Sequence, residues 1–268
     1  MQTYKKKNKD QGKYYLEKFL KIAPLSHALW RAVEAMSFDQ IKLKSPVLDL
    51  GCGWGEFAGV AFNRLEMGVD INDEDLQKAK DGRLYKNLKW ADARELPFKK
   101  NTYGSVVSVS VMEHIEGGEK VISEVHRVLK KNGLFVFSVP TPLIKDNLLG
   151  IKAARLLGLK GVENKYWDLH RKAFKHVNLR PTAWWIEKLK KNGFEIEIAE
   201  GTLSPTVLRL HEVFLITAFP SQFGKLFFGK RLIMSAGVRS KVLPIFFSQF
   251  VKPDKNSEIN MLFVARKK

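Results

Sequence analysis

The apolar run Pro46 to Leu50 ends in Gly51-Cys52-Gly53-Trp54-Gly55, and a helix-forming apolar stretch, Phe57 to Leu65, follows at once. A strand that runs into closely spaced glycines and then a helix lets backbone approach a ligand, with a helix N-terminus nearby. The spacing is GxGxG rather than the GxGxxG of the dinucleotide fingerprint. Asp70 stands 19 residues beyond Gly51, at the end of the next predicted strand. A carboxylate there can accept hydrogen bonds from both ribose hydroxyls of an adenosine.

The rest of the chain fits that beginning. Tyr14 to Phe38 has helical periodicity interrupted by Pro24, which predicts two helices. Strands are predicted at 46–50, 67–71, 88–91, 105–111, 134–139, 194–199 and 260–265. Helices are predicted at 57–65, 73–81, 119–131 (closed by Gly133) and 181–191 (closed by Gly193). Strands alternating with helices at this spacing predict an α/β domain with a mainly parallel sheet and right-handed crossovers. Thr141 to Arg180 and Gly201 to Glu258 exceed ordinary connections and are expected to hold added helices or functional elements.

The 268 residues are 45% hydrophobic and 28% charged, which excludes wholesale disorder. The lone cysteine, Cys52, cannot form an internal disulfide or a CxxC pair, and a reducing, cytoplasmic location is expected. The basic N-terminus lacks the apolar core of a signal peptide, and no apolar run approaches the roughly 18 residues of a spanning helix. Net charge is +18, of which residues 151–268 carry +13. That excess favours an anionic partner: a membrane surface, a nucleic acid or an acidic substrate.

The motifs together resemble those of the class I S-adenosylmethionine-dependent methyltransferases. VLDLGCGWG resembles their first motif, and GVDI, ADARELPF, NTYGSVVSVSVMEHI, EVHRVLKKNGLFVFSVP and KNGFEI follow in register. The likeness points to the small-molecule branch, which includes quinone-biosynthesis and many lipid or glycan methyltransferases. It is specific over residues 46–140 and does not cover 1–40 or 201–258. The resemblance implies a Rossmann-like seven-stranded sheet with its last strand antiparallel, helices on both faces, and a helical cap and lid. The implied organisation is a cap at 1–40, a cofactor-binding core at 41–200, a basic, Phe-rich lid at 201–258 and the last core strand at 259–268.

Roles follow by position. Asp49 with the backbone of Gly51, Gly53 and Gly55 would hold the methionine end of S-adenosylmethionine. Asp70 and Ile71 would flank the ribose, Asp92 and Ala93 would read the adenine, and Ser108 would lie beneath the methyl. Gly104 stands just before the fourth strand, where the family usually has Asp. Where metal-using quinone O-methyltransferases carry a Glu before their Glu-His pair, this chain has Ser110. Glu113 and His114 alone are too few ligands, so no metal is expected.

Methyl transfer from a sulfonium is an in-line displacement, and positioning supplies much of the rate. An oxygen or nitrogen nucleophile also needs its proton removed. Candidate bases are Glu113 and His114 after the fourth strand, and His170 and His176 after the fifth. The stretch Thr202 to Val251 holds eight phenylalanines, six Lys or Arg and one acid, Glu212. Phe223, Leu226, Phe227, Ile233 and Met234 recur at helical spacing, which suits a pocket lid or a membrane interface. Basic residues there interleave with bulky aliphatics rather than forming a polar stripe, which favours a small amphipathic or lipid-linked acceptor. RNA methylation and a non-catalytic cofactor-binding scaffold are the alternatives.

Overall fold

The computed structural model describes residues 10–62, 64–215 and 236–268. Seven strands form one sheet: β1 (Val47–Leu50), β2 (Leu65–Asp70), β3 (Tyr85–Trp90), β4 (Tyr103–Val109), β5 (Leu129–Pro140), β6 (Phe194–Gly201) and β7 (Asn260–Lys267). Their order is β3-β2-β1-β4-β5-β7-β6. The first five pair in parallel, and β7 runs antiparallel between β5 and β6. This is the Rossmann-like sheet that the motifs implied.

The central strands carry continuous apolar runs because both of their faces are covered. Val106, Phe135, Phe137 and Phe263 enter one core with α5 (Gly118–Val128) and α9 (Thr182–Lys191). Val107, Val136, Leu262 and Val264 enter the other with α1 (Gln11–Ile22), α2 (Leu25–Phe38) and α3 (Glu56–Ala61). The period-two alternation therefore sorts neighbouring residues between two layers of helices. Pro24, extended at ψ 161°, separates α1 from α2 as expected. Asn72 caps α4 (Asp73–Asp81) by accepting from the amides of Glu74 and Asp75.

Four expectations move. The helix expected at 119–131 ends at Val128, because the fully buried Leu129 pairs with Tyr103 at the start of β4. The left-handed residue of that turn is Asn132, not Gly133. The helix expected at 57–65 stops at Ala61, since Leu65 is drawn into β2 beside Tyr85. Gly104 lies inside β4, where a Cβ would stand 2.5 Å from the Lys44 carbonyl oxygen.

The two long stretches hold helices. Between β5 and α9 come α6 (Leu143–Asn147), α7 (Leu149–Leu156) and α8 (Lys160–Ala173). Between β6 and β7 the chain is helical over 205–215 and in α10 (Ala236–Phe247), which packs against α1. Phe214 meets Phe247 edge-on at 5.2 Å. The expected amphipathic stripe from Phe223 to Met234 lies outside the described residues. Among the described residues, no helix is long and apolar enough to cross a membrane.

Candidate functional site

The glycine loop turns back on β2. The amides of Gly51 and Cys52 both donate to the Val69 carbonyl at 2.9 Å. Gly51 has φ +73°, and a Cβ there would strike Val111 at 2.4 Å, so only glycine fits. Gly53 also has positive φ, but a Cβ on it would meet nothing within 4 Å: the loop faces open space. Its amide donates to Asp70 Oδ2 at 2.7 Å, while Asn72 donates to Asp70 Oδ1 at 2.9 Å. The carboxylate thus holds the loop. Beneath the loop, the Tyr85 hydroxyl donates to the buried Asp49 at 2.7 Å. Burial pushes the Asp49 carboxyl up to about 7.

A second group of residues converges from the other side. Ser110, just past β4, is a non-glycine residue at φ +51°. Such backbone positions persist only where surrounding contacts over-determine them, and they concentrate at functional sites. Here the contact is Glu34 of α2, fully buried. Its Oε1 accepts from Ser110 Oγ at 2.9 Å, Ser138 Oγ at 2.7 Å and Asn260 Nδ2 at 3.2 Å, and its Oε2 accepts from Arg31 at 2.8 Å. One carboxylate therefore ties α2 to residues beside β4 and at the ends of β5 and β7.

Three cavities meet at Ser110, which lines all of them. The largest, about 560 Å³, runs over the edge of β1 and β2 and is bounded by Gly51, Asp70, Ile71, Asp92 and Ala93. A smaller one, about 210 Å³, lies under the loop between Asp49, Gly53, Trp54 and Arg31. The third, about 290 Å³, opens on the other side of Ser110 and His114. It is walled by His27, His170, His176 and His211, with Trp30, Phe174 and Glu113.

This histidine cavity is electrostatically unusual. Burial drives His170 down to about 4, His176 to about 3 and His211 to about 4, so these rings are neutral at pH 7. His114 is also lowered by burial, and its Nδ1 lies 3.0 Å from the Lys175 carbonyl oxygen. His211 Nδ1 makes the same contact with Ser26 at 2.9 Å. A carbonyl only accepts, so in both neutral rings Nδ1 carries the proton. Among the described residues, the Nδ1 atoms of His170 and His176 are buried without a partner. So is Glu113 Oε2, on a carboxyl that burial pushes up to about 8. His176 stacks near His114 and tilts against His170, each at 5.9 Å between ring centroids.

The candidates drawn from sequence fall into two groups. Gly51, Asp70, Ile71, Asp92 and Ala93 border the large cavity, and Asp49 and Gly53 the loop cavity. Asp92 is bound by Arg94 through two guanidinium nitrogens, the closer at 2.7 Å, and these bonds hold its carboxyl below the usual range. Gly55 caps α3 and packs on Leu84 and Tyr85 rather than lining these cavities. Ser108 does not reach them either: it is buried, and its hydroxyl donates to the Leu50 carbonyl at 3.1 Å. Ser110, two residues on, is the serine that lines the cavities. Glu113, His114, His170 and His176 do come together around one cavity. Among the described residues, no group of three His, Cys, Asp or Glu could hold a metal ion.

Sequence reasoning placed α2 as a helix but missed its part in the site. His27, Trp30, Arg31 and Glu34 recur at i, i+3, i+4 and i+7, a polar stripe on an otherwise apolar helix. That pattern is the legible sign that one face of α2 meets a polar site.

Residues 48–137 match the family described as a methyltransferase domain. A ubiquinone/menaquinone biosynthesis C-methyltransferase of Rickettsia prowazekii is 32% identical over 211 residues, spanning 71% of this chain and 83% of the relative. The chain belongs to the class I S-adenosylmethionine-dependent methyltransferases. A 24-methylenesterol C-methyltransferase of Arabidopsis thaliana is 32% identical to the methyltransferase over 120 residues, 40% of this chain and 33% of the relative. A solved methyltransferase of Thermotoga maritima, described as a possible histamine N-methyltransferase, shares the fold. Its TM-score is 0.58 at 15% identity, covering 91% of this chain and 92% of that one. The residues fit the cofactor: Gly51 and Asp70 border the cavity of about 560 Å³, and Gly53, where a Cβ would meet no described atom within 4 Å, borders the adjoining loop cavity.

Proposed function

We propose that the methyltransferase acts on a small amphipathic or lipid-linked acceptor held in the histidine cavity. The observation that carries this reading is the meeting of the large cavity and the histidine cavity at Ser110 and His114, which line both. The similarity to enzymes named for quinone and sterol methylation supports an acceptor that is largely apolar with a polar reacting end. Aromatic rings and uncharged imidazoles suit such a molecule, because they give apolar surface with a few hydrogen-bonding atoms.

Asp70 and Ile71 hold the ribose of S-adenosylmethionine. Asp92 and Ala93 border the adenine. Asp49 and the backbone of Gly51 and Gly53 hold the methionine end, with Arg31 the cation nearest that cavity. When bound, the cofactor supplies a methyl group on a sulfonium for in-line displacement. The protein aligns the nucleophile and excludes water, worth roughly 7–11 kcal/mol in favourable cases. His170 and His176 offer unpartnered ring nitrogens that orient a polar group of the acceptor. Glu113, titrating near 8, takes the proton that an oxygen or nitrogen nucleophile must lose. The N-terminal helices α1 and α2 act as a cap over the core of residues 41–200, and the 205–215 helix brings His211 to the histidine cavity.

The test is to incubate the purified protein with methyl-labelled S-adenosylmethionine and a whole cell extract, then partition the products between organic solvent and water. Label in the organic phase is expected. Label confined to the aqueous phase would replace this acceptor class with polar metabolites or RNA.

A further inference from the structure

The hairpin of α7 and α8 presents an apolar tip that nothing described covers. Leu156 and Leu157 are 87% and 68% exposed, and Leu159, Val162 and Leu169 are exposed as well. No residue of α8 is fully buried. Contiguous apolar side chains left in water mark an interaction surface. The charges around them are one-sided. Asp146 is taken by Arg155 at 2.8 Å, and Glu163 by Arg155 at 2.9 Å and Lys145 at 3.2 Å. Lys152, Lys160, Lys165, Arg171 and Lys172 are exposed and have no acidic partner within ion-pair distance among the described residues. Val162, Lys165, Leu169 and Lys172 recur at helical spacing along one side of α8. The other side carries Tyr166, whose hydroxyl donates to Glu212, and His170 on the histidine cavity.

We propose that the α7–α8 hairpin docks on an anionic lipid bilayer, with α8 lying along the interface. Exposed leucines flanked by five cations without acidic partners, with Asp146 and Glu163 already paired and Asp168 the one acid of the hairpin left without an ion pair among the described residues, match the apolar interior and negative surface of such a membrane. Because His170 and Ala173 on the last turn of α8 line the histidine cavity, docking brings that cavity to the bilayer surface. This rests on the amphipathic acceptor proposed above, and it assigns a docking role to residues 149–173.

The test is flotation of the full chain with vesicles of phosphatidylcholine alone and of phosphatidylcholine mixed with phosphatidylglycerol. Binding to the mixed vesicles only, weakened by added salt, is expected. Leu156→Ser with Leu157→Ser should weaken it about tenfold, and Lys152→Glu with Lys160→Glu should weaken it comparably. Both double variants should bind S-adenosylmethionine as the wild type does, which shows that they fold. Absence of wild-type binding, or binding indifferent to both double variants, overturns the proposal. Light scattering that shows a dimer lost in the leucine variant, with no vesicle binding, also overturns it and makes the tip a contact between copies. If vesicles are bound but the methyl label stays aqueous, the acceptor reading fails while the docking surface stands.

Discussion

The Ser110 hydroxyl donates to Glu34 at 2.9 Å, and through that bond a helix from the first 40 residues fixes the point where three cavities meet. Glu34 is fully buried and also neutralises Arg31. Breaking one side of a buried pair leaves an uncompensated charge, which costs more than the intact pair contributes. Glu34→Gln should therefore lower unfolding stability by about 3 kcal/mol, measured by urea denaturation. Ser110→Ala removes one hydrogen bond from the same carboxylate and should cost about 1 kcal/mol. Equal losses would contradict the network.

Asp70 has two tasks, bracing Gly53 and receiving the ribose. Asp70→Asn keeps an oxygen for the Gly53 amide but loses the charge. Hydrogen bonds to charged groups contribute about 1.5–3 kcal/mol, so affinity for S-adenosylmethionine should fall about 10- to 100-fold. Calorimetry reads the affinity and thermal unfolding reads the brace. An unchanged dissociation constant removes the ribose from Asp70.

The histidine cavity makes the fold sensitive to acid. His170, His176 and His211 have folded pKa values near 3–4 against an ordinary 6.5. Below 6.5 the unfolded chain binds protons that these folded rings refuse. Their contribution is complete above pH 6.5 and is lost as pH falls toward 4 and below. Glu113, raised to about 8, and Asp49, raised to about 7, act in the opposite direction as pH falls below those values, but as two groups against three. The urea midpoint should fall between pH 6.5 and 4, and His176→Asn should flatten that fall. A midpoint rising over this range would show the rings to be charged in the folded state.

Glu113 also predicts the activity profile. Burial and the nearby Glu34 raise its carboxyl to about 8, so at pH 7 most of it is protonated. If it takes the proton of the nucleophile, kcat should rise about tenfold per pH unit below 8 and level off above it. Glu113→Gln should lower kcat about 10²- to 10⁴-fold and abolish that rise. A variant that keeps the wild-type slope would move the base elsewhere.

What the sequence made legible were the features set by local periodicity. The glycine loop, the acid after the second strand and the alternation of strands and helices are all contiguous patterns, and they delivered the sheet and the residues around Asp70. The helix ends at Ala61 and Val128 were not legible, because Leu65 and Leu129 leave their helices to pair with distant strands. The shift from Ser108 to Ser110 has the same origin. Both residues lie on or beside β4, and only the sheet edge decides which one emerges at the cavities. The histidine cavity draws on α2, the segment after β4, α8 and the 205–215 helix, so its parts lie nearly 200 residues apart. His170 and His176 could be nominated one by one, but His211 carries no local sign of belonging with them.

The proposed transfer site has two halves, the large cavity and the histidine cavity, joined at Ser110 and His114. A crystal structure of the complex with S-adenosylhomocysteine tests this most directly. The sulfur is expected at the opening between Ser110 and His114, facing the histidine cavity, with the ribose on Asp70. A sulfur directed away from that opening would contradict it.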